Sequence, residues 1–398
     1  MDRKSIGQQG KISSSSPLSR RAFLAGAATC AAAGPALLHA AVCELGRPTL
    51  LHVATCTSHS GYVQTFASTS VGCTLLGSTA IDSLAAVAAH PALPVLYVAR
   101  DCREWENLPR GVIESYAVEH GAHPLRLLAQ TPMALSATGP RSLAVSSCGG
   151  HLLVTASTGG AWNAFTLNRD GMPTSIAIAR KEIGSMFDAH TVSLPTPHGL
   201  AFSPQQPVAL STDPGTGWMT LLQPSPESIA VLARCQTPHG LTRSSPVFTS
   251  DGRYIMVANA KSASLSVYEM SVMSGEGSNA DFHLLGTTPT ISPVTTLLAH
   301  PVEPAVFTSR PQGNGSCLEL WKIHGSDLRV AADTWVAGYI VTMAQNAGSL
   351  WVLSDDRLTR IQIGDLRTPH RFEAPLATPG AQAIVVQTMS AHLASARS

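Results

Sequence analysis

The sequence predicts an all-β fold: a seven-bladed β-propeller with four antiparallel strands per blade. Three observations carry this reading. A short run of apolar, β-prone and small residues recurs seven times. Each copy is followed by further strand-like segments and turn signals. No stretch keeps a sustained 3.6-residue apolar period, which argues against helices between the strands. The copies are Leu51–Cys56, Val95–Arg100, Leu152–Ser157, Val208–Asp213, Ile255–Ala260, Ala305–Arg310 and Leu350–Asp355, and their starts lie 44 to 57 residues apart. A period of that size means one supersecondary unit copied along the chain.

The units can be followed in order. The first recurring strand begins at Leu51, and Thr49–Cys56 is expected at the seam of the ring, beside Ala381–Gln387. In the third unit Leu152–Ser157 leads through Gly159-Gly160 to an alternating strand, Ala161–Leu167, and a turn at Asn168-Arg169-Asp170-Gly171. That unit ends on His198-Gly199-Leu200-Ala201-Phe202-Ser203-Pro204. The fifth unit repeats the order, with Asp251-Gly252-Arg253 turning into Ile255–Ala260, then Ser264–Met270, then Phe282–Gly286, and Thr295–Ala299 as its last strand. Pro94, Pro207 and Pro304 stand at strand edges, where no ladder donor is needed. Four strands in each of seven units give about 28 in all, the size of a closed propeller. A lone four-stranded blade has two apolar faces and cannot bury either; stacking blades in a ring buries both. A sandwich needs far fewer strands. The recurring strands are taken as the inner edges of the blades, so polar residues at their ends would meet at the channel mouth.

Composition narrows the partners. Charged residues make up 13% of the 398-residue chain, below the roughly 25% of ordinary soluble proteins. The net charge of +1 gives no electrostatic footprint for nucleic acid. The first 41 residues read separately. Ser19-Arg20-Arg21-Ala22-Phe23-Leu24 matches a twin-arginine consensus; Ala25–Ala33 is weakly apolar, Pro35 breaks it, and Ala40-Ala41 offers a cleavage region. An uncleaved leader or a single anchor is the alternative, but the apolar run is short for a span, which needs about 20 residues. The expected organisation is an export signal over 1–41, one propeller domain over 42–390 and a tail over 391–398. The mature protein is then periplasmic or secreted, a monomer without a membrane span, with a net charge of −3. Seven cysteines remain, with no CxxC and no zinc spacing; Cys56 and Cys73 fall in one blade and could pair.

Several segments resemble a known family. Thr138-Gly139-Pro140-Arg141-Ser142-Leu143-Ala144-Val145 with Cys148-Gly149-Gly150-His151-Leu152-Leu153-Val154, then Pro197-His198-Gly199-Leu200-Ala201-Phe202-Ser203-Pro204, then Ser250–Asn259, look like the lactonase-type seven-bladed propellers. That family includes 6-phosphogluconolactonases and carboxymuconate cyclases. The resemblance spans most of residues 50–390. It implies that His198 stands for the second His of the family's PHAH segment and Asp213 for an acidic residue after the next strand. Asp101 stands where the family usually has Glu, and Asn259 and Arg310 fall at family-like polar positions. The chain departs at Ser142, where the family has His, at Thr158 for Tyr, at Ala260 for Glu, and near Thr296 for another Glu. Around Ser244-Ser245 the family's Arg-His pair is missing.

The residues alone permit a chemistry. Arg100, Asp101, Asp213, Asn259, Arg310 and Asp355 come at the ends of recurring strands, and His198 precedes the last strand of its unit. Lactone hydrolysis needs a polarised carbonyl and a water activated by a base. His198 fits the base, having an ordinary pKa near neutrality. Asp213 or Asp101 would orient it, and Arg310 would stabilise the oxyanion. Arg100, Asp101, Arg141, Asn259 and His239 are the expected substrate contacts. The plainer alternative makes His198 a loop residue and the aspartates turn caps. Thr196-Pro197-His198-Gly199-Leu200 recurs word for word as Thr237-Pro238-His239-Gly240-Leu241, so both imidazoles could be presented alike, to a metal or an anion, or the phrase could be a shared turn. The spacing is not a zinc motif. No metal or other cofactor is expected, and the tryptophans Trp162, Trp218, Trp321, Trp335 and Trp351 read as packing residues. The readings carried forward are a lactonase-like hydrolase of a sugar-acid or related lactone and a non-catalytic periplasmic propeller that binds a ligand or protein. A redox propeller of the quinoprotein kind ranks last, because its cofactor motifs are missing.

Overall fold

The computed structural model describes residues 49–388, apart from breaks at 57–59, 69–71, 103, 120, 122, 175–177, 182–193, 274–278, 326, 347, 355–356, 365, 367–371 and 376–380. The expected export signal, Asp355 and the tail lie outside the described residues. Seven four-stranded antiparallel sheets follow one another along the chain, as the repeat requires. Six are built from consecutive strands. The seventh closes the ring: Ala381–Thr388 pairs with Thr49–Cys56, which pairs with Gly61–Ser68, which pairs with Cys73–Ala80. Thr49 faces Thr388 and Leu51 faces Val386, so the seam falls where the sequence places it.

Within each blade the order differs from the sequence-based expectation in one respect. The recurring strand is second from the axis, not innermost. In the first blade Leu84–Ala89 lies inside Val95–Arg100, and in the third Gly199–Phe202 lies inside Ala209–Asp213. The physical reason is burial. A second strand has a neighbour on each side and a blade against each face, so Ser349–Ser354 and Ala209–Asp213 are buried along their whole length. Such strands read as unbroken apolar runs. The innermost strands border a narrow axis, are only two to eight residues long and favour small residues such as Ala86, Ala88, Gly199 and Ala201. Their sequence signal is correspondingly weak.

Seven apolar clusters fill the spaces between neighbouring blades. Tyr97 and Phe165 pack between the first and second, Trp162 with Leu222 between the second and third, and Trp351 with Phe66 between the sixth and the seam blade. Trp162 Nε1 also donates to Ser211 Oγ of the next blade at 2.9 Å. The turn from the innermost to the second strand repeats a device of its own. His90 Nδ1 accepts from the backbone of Ala92 and Leu93, and His300 Nδ1 does the same for Val302 and Glu303. A ring nitrogen used as an acceptor must stay unprotonated, and burial holds both rings below the usual histidine range.

Cys56 and Cys73 do not form the disulfide that their shared blade allowed. Cys73 pairs with Ser68, which faces Thr49, while Cys56 ends that strand seven residues on. At roughly 3.3 Å per residue they sit at opposite ends of the blade, far beyond disulfide reach. Cys73 remains a thiol, pushed up to about 12 by burial.

The seam carries an acid-sensitive group. His52 is fully buried and bonded to Thr65 Oγ1 at 3.0 Å, and burial lowers its pKa to about 4. The unfolded chain takes up this proton below pH 6.5, whereas the folded chain does so only near pH 4. Stability from this group is therefore full above pH 6.5 and falls as pH drops towards 4, by on the order of 3 kcal/mol. The expected outcome is that His52→Gln flattens the acid limb of the denaturation midpoint against pH between 6.5 and 4, measured by chemical unfolding.

Candidate functional site

The innermost strands begin at one end of the ring axis, and their starts surround a cavity of about 470 Å³. Six blades contribute to its wall. Local irregularity aims several of the side chains. Innermost strands paired with Ala156, Ser354 and Thr55 each carry a bulge at their first residues, and the extra residues are Arg141, Val341 and Gln382. All three line the cavity. A bulge inserts one residue and redirects it out of the regular alternation.

His198 enters from the third blade, immediately before Gly199–Phe202. Its backbone N–H donates to Thr212 O at 2.9 Å. Thr155 Oγ1 donates to its carbonyl at 3.0 Å and accepts from the N–H of Ser142, next to the bulged Arg141. One hydroxyl thus ties the arginine of one blade to the histidine of the next. A side chain at 199 has no room, since a Cβ there would stand 2.9 Å from Ser245 Cα and Pro246 Cδ. The fourth blade brings Arg243, Ser244 and Ser245 to the same wall, and the fifth brings Thr295 and Thr296.

The electrostatics have one sign. Arg141, Arg243 and His198 line the cavity, and no carboxylate is among its described lining residues. The His198 ring is half-buried. Burial first, and then the charges of Arg141 and Arg243, hold its pKa below the ordinary value. A hydrogen bond to the Arg243 backbone carbonyl and the charge of Asp213 act in the opposite sense, without reversing the shift. The ring is neutral near pH 7. A neutral imidazole carries one N–H donor and one nitrogen able to accept a proton.

Of the eight residues singled out from sequence, the structure brings two together here, His198 and Arg141. The others have different work. Asp213 is 1% exposed, and its carboxylate accepts from the N–H groups of Thr196, Gly215 and Thr216 and from Thr196 Oγ1. It caps a turn, and its hydrogen bonds go to these groups and not to the His198 ring. Arg310 is buried against Glu319 at 2.8 Å, and the same carboxylate accepts from Trp321 Nε1 at 3.1 Å. Arg100 repeats that arrangement in the first blade, with Glu114 at 2.8 Å and Tyr116 OH donating to Glu114 at 2.6 Å. Both arginines stand on second strands and pair with a glutamate of the neighbouring strand in their own blade. Asp101 accepts from Gly139 N at 3.2 Å and joins the first blade to the second. Asn259 is fully buried, donating to Ser264 and Ser266.

His239 also stays out of the cavity. The duplicated phrase adopts two conformations: Gly199 leads straight into its strand, whereas Gly240 takes φ +66° in a turn. The chain then needs six more residues to reach Val247–Phe248, and Arg243 falls on the wall in place of His239. Sequence reading passed over Arg243. The available signal was its place in the segment that leads into an innermost strand, Val247–Phe248, as His198 leads into Gly199–Phe202. Ser142 and Thr296, where the chain departs from the family pattern, both lie on the cavity wall.

Comparison with known proteins places the fold and the family. A family model described as "Lactonase, 7-bladed beta-propeller" matches residues 50–296, more than half of the chain. The chain belongs to this family. The lactonase-family propeller also superposes on solved structures. A candidate 6-phosphogluconolactonase from Bacteroides uniformis gives a TM-score of 0.68 at 14% identity, over 86% of this chain and 99% of that one. The periplasmic gluconolactonase of Pseudomonas aeruginosa gives 0.67 at 16% identity, over 86% and 100%. At these identities the likeness concerns the fold. No curated protein matches the sequence.

Proposed function

We propose that this propeller is an exported lactonase-like hydrolase, acting on a lactone of a sugar acid or a related compound at the axial cavity. One observation carries the reading: two arginines and a neutral histidine from three different blades meet in a cavity with no carboxylate on its described wall. His198 takes a proton from water as it attacks the lactone carbonyl. The oxyanion that forms is met by the guanidinium of Arg141 or Arg243, aimed where charge develops. The proton then passes from His198 to the ring oxygen as the C–O bond breaks, releasing a hydroxy acid. The cavity hydroxyls of Ser142, Ser244 and Thr295 suit the hydroxyls of a sugar. Family membership and the twin-arginine segment support the class of reaction and the route of export.

A second reading is favoured by one feature. His198 has no carboxylate bonded to it among the described residues, and the family's His stands as Ser142, so the cavity would then bind an anionic ligand without turning it over. The two readings part in a single assay. Purified protein is expected to hydrolyse a sugar-acid lactone above the spontaneous rate, and background rates alone would leave only the binding reading. With the hydrolase, Arg243→Gln is expected to raise KM about tenfold for a lactone bearing a carboxylate and far less for a neutral one. This corresponds to loss of a charge-assisted hydrogen bond of about 1.5 kcal/mol.

A further inference from the structure

The axial cavity holds positive charge that its own wall does not neutralise. Arg141 and Arg243 form no ion pair among the described residues, whereas Arg100 and Arg310 each have a glutamate at 2.8 Å. No carboxylate is among the described lining residues. Asp213 is the one carboxylate whose charge bears on His198. It is 1% exposed and is held in its turn by Thr196, Gly215 and Thr216. His198 stands between the two arginines in the order of the blades. Thr155 Oγ1 ties its carbonyl to the N–H of Ser142, beside Arg141. On the other side Gly199 packs so closely on Ser245 that a Cβ would stand 2.9 Å from Ser245 Cα, two residues from Arg243.

This arrangement couples anion binding to protonation. An imidazole beside like charges and out of water resists taking a proton. Burial and then the two arginines act on His198 in this way. A carboxylate that enters the cavity reverses the contribution of the arginines. It offsets the guanidinium charges, and it gives a protonated ring an acceptor of opposite sign. We propose that the axial cavity binds the open hydroxy acid, a small polyhydroxylated carboxylate, together with one proton, so that His198 becomes an imidazolium facing the bound carboxylate between Arg141 and Arg243. The proton comes from solvent, and no bond in the ligand changes.

The choice of anion rests on the hydrolase reading, whose product is the hydroxy acid; the coupling to a proton does not. Ser142, Ser244 and Thr295 supply hydroxyls for those of the ligand. The volume of about 470 Å³ lies within the usual range of about 300–1,000 Å³ for small-molecule sites. Reciprocity sets the sign. The free ring loses its proton below pH 6.5, and the ring beside a bound carboxylate loses it at higher pH. Between these two values binding takes up a proton and tightens as pH falls. A protonated His198 cannot serve as a base, so the same complex is a product-inhibited form of the hydrolase, and the acid released at each turnover deepens it.

Calorimetric titration of sodium gluconate into the full chain at pH 6.5, in buffers of different ionisation heat, tests this. Uptake of about half a proton per gluconate is expected, and a Kd about tenfold lower at pH 5.5 than at pH 8. Sorbitol, which lacks the carboxylate, is expected to bind more weakly and to take up no proton. His198→Gln is expected to bind gluconate without proton uptake. Imidazole NMR of the wild-type protein gives a second reading that does not depend on the variant folding: one ring is expected to titrate about one pH unit higher in saturating gluconate. Proton-linked gluconate binding without lactone turnover upholds the proposal and removes the hydrolase. Lactone turnover with proton-free gluconate binding, or with none, overturns the proposal and leaves the hydrolase standing.

Discussion

His198→Ala is expected to lower kcat for lactone hydrolysis by roughly 10²- to 10⁴-fold, the usual contribution of a positioned general base. KM is expected to change little for a lactone bearing a carboxylate, because Arg141 and Arg243 remain to hold it. The fold should survive. The backbone bonds of residue 198, to Thr212 O and from Thr155 Oγ1, do not involve the imidazole. Single-turnover kinetics beside a circular-dichroism melt check both halves of this expectation. His198→Gln is the sharper variant, since its amide stays polar but cannot take a proton at neutral pH. A wild-type rate in His198→Gln would remove the imidazole from the chemistry.

The second large effect concerns stability. Glu319→Ala is expected to cost about 3–5 kcal/mol, because it strands Arg310 as an unpaired charge inside the fifth blade. Arg310 and Glu319 are 8% and 6% exposed as side chains, and Trp321 Nε1 loses one of its acceptors in the same change. Combining Arg310→Met with Glu319→Leu is a different experiment. It removes both desolvation costs, and the outcome is expected within about 1–2 kcal/mol of wild type, on either side. Urea denaturation of the single and double variants measures the difference. The hydrolytic rate should be unaffected in either protein once folded, since neither residue lines the axial cavity.

The contrast between His198 and Arg310 shows what the sequence could convey. The seven buried second strands are legible because burial on both faces leaves unbroken apolar runs such as Val95–Arg100. Their spacing fixes the blade number and the seam at Thr49–Cys56. The innermost strands are not legible in the same way: Val247–Phe248 is two residues long, and the axis rewards small residues over apolar ones. Taking the visible strand for the inner one moved Arg100, Asp213, Asn259 and Arg310 to the axis, where none of them lies. His198 survived that error because it precedes an innermost strand. Arg141 reaches the cavity through a bulge, a register shift that no sequence period reveals. Arg243 was missed because its neighbour His239 carried the duplicated phrase, whose second copy turns at Gly240 with φ +66° where Gly199 enters its strand directly.

On this account a neutral His198, flanked by the charges of Arg141 and Arg243, acts as the base. The dependence of kcat/KM on pH for a sugar-acid lactone, corrected for spontaneous hydrolysis, tests it most directly. Burial and the flanking charges place the His198 pKa below 6.5. Activity should therefore fall along one limb centred below pH 6.5, and that limb should vanish in His198→Gln. A limb centred at or above pH 6.5, or one that persists unchanged in the variant, would contradict the account.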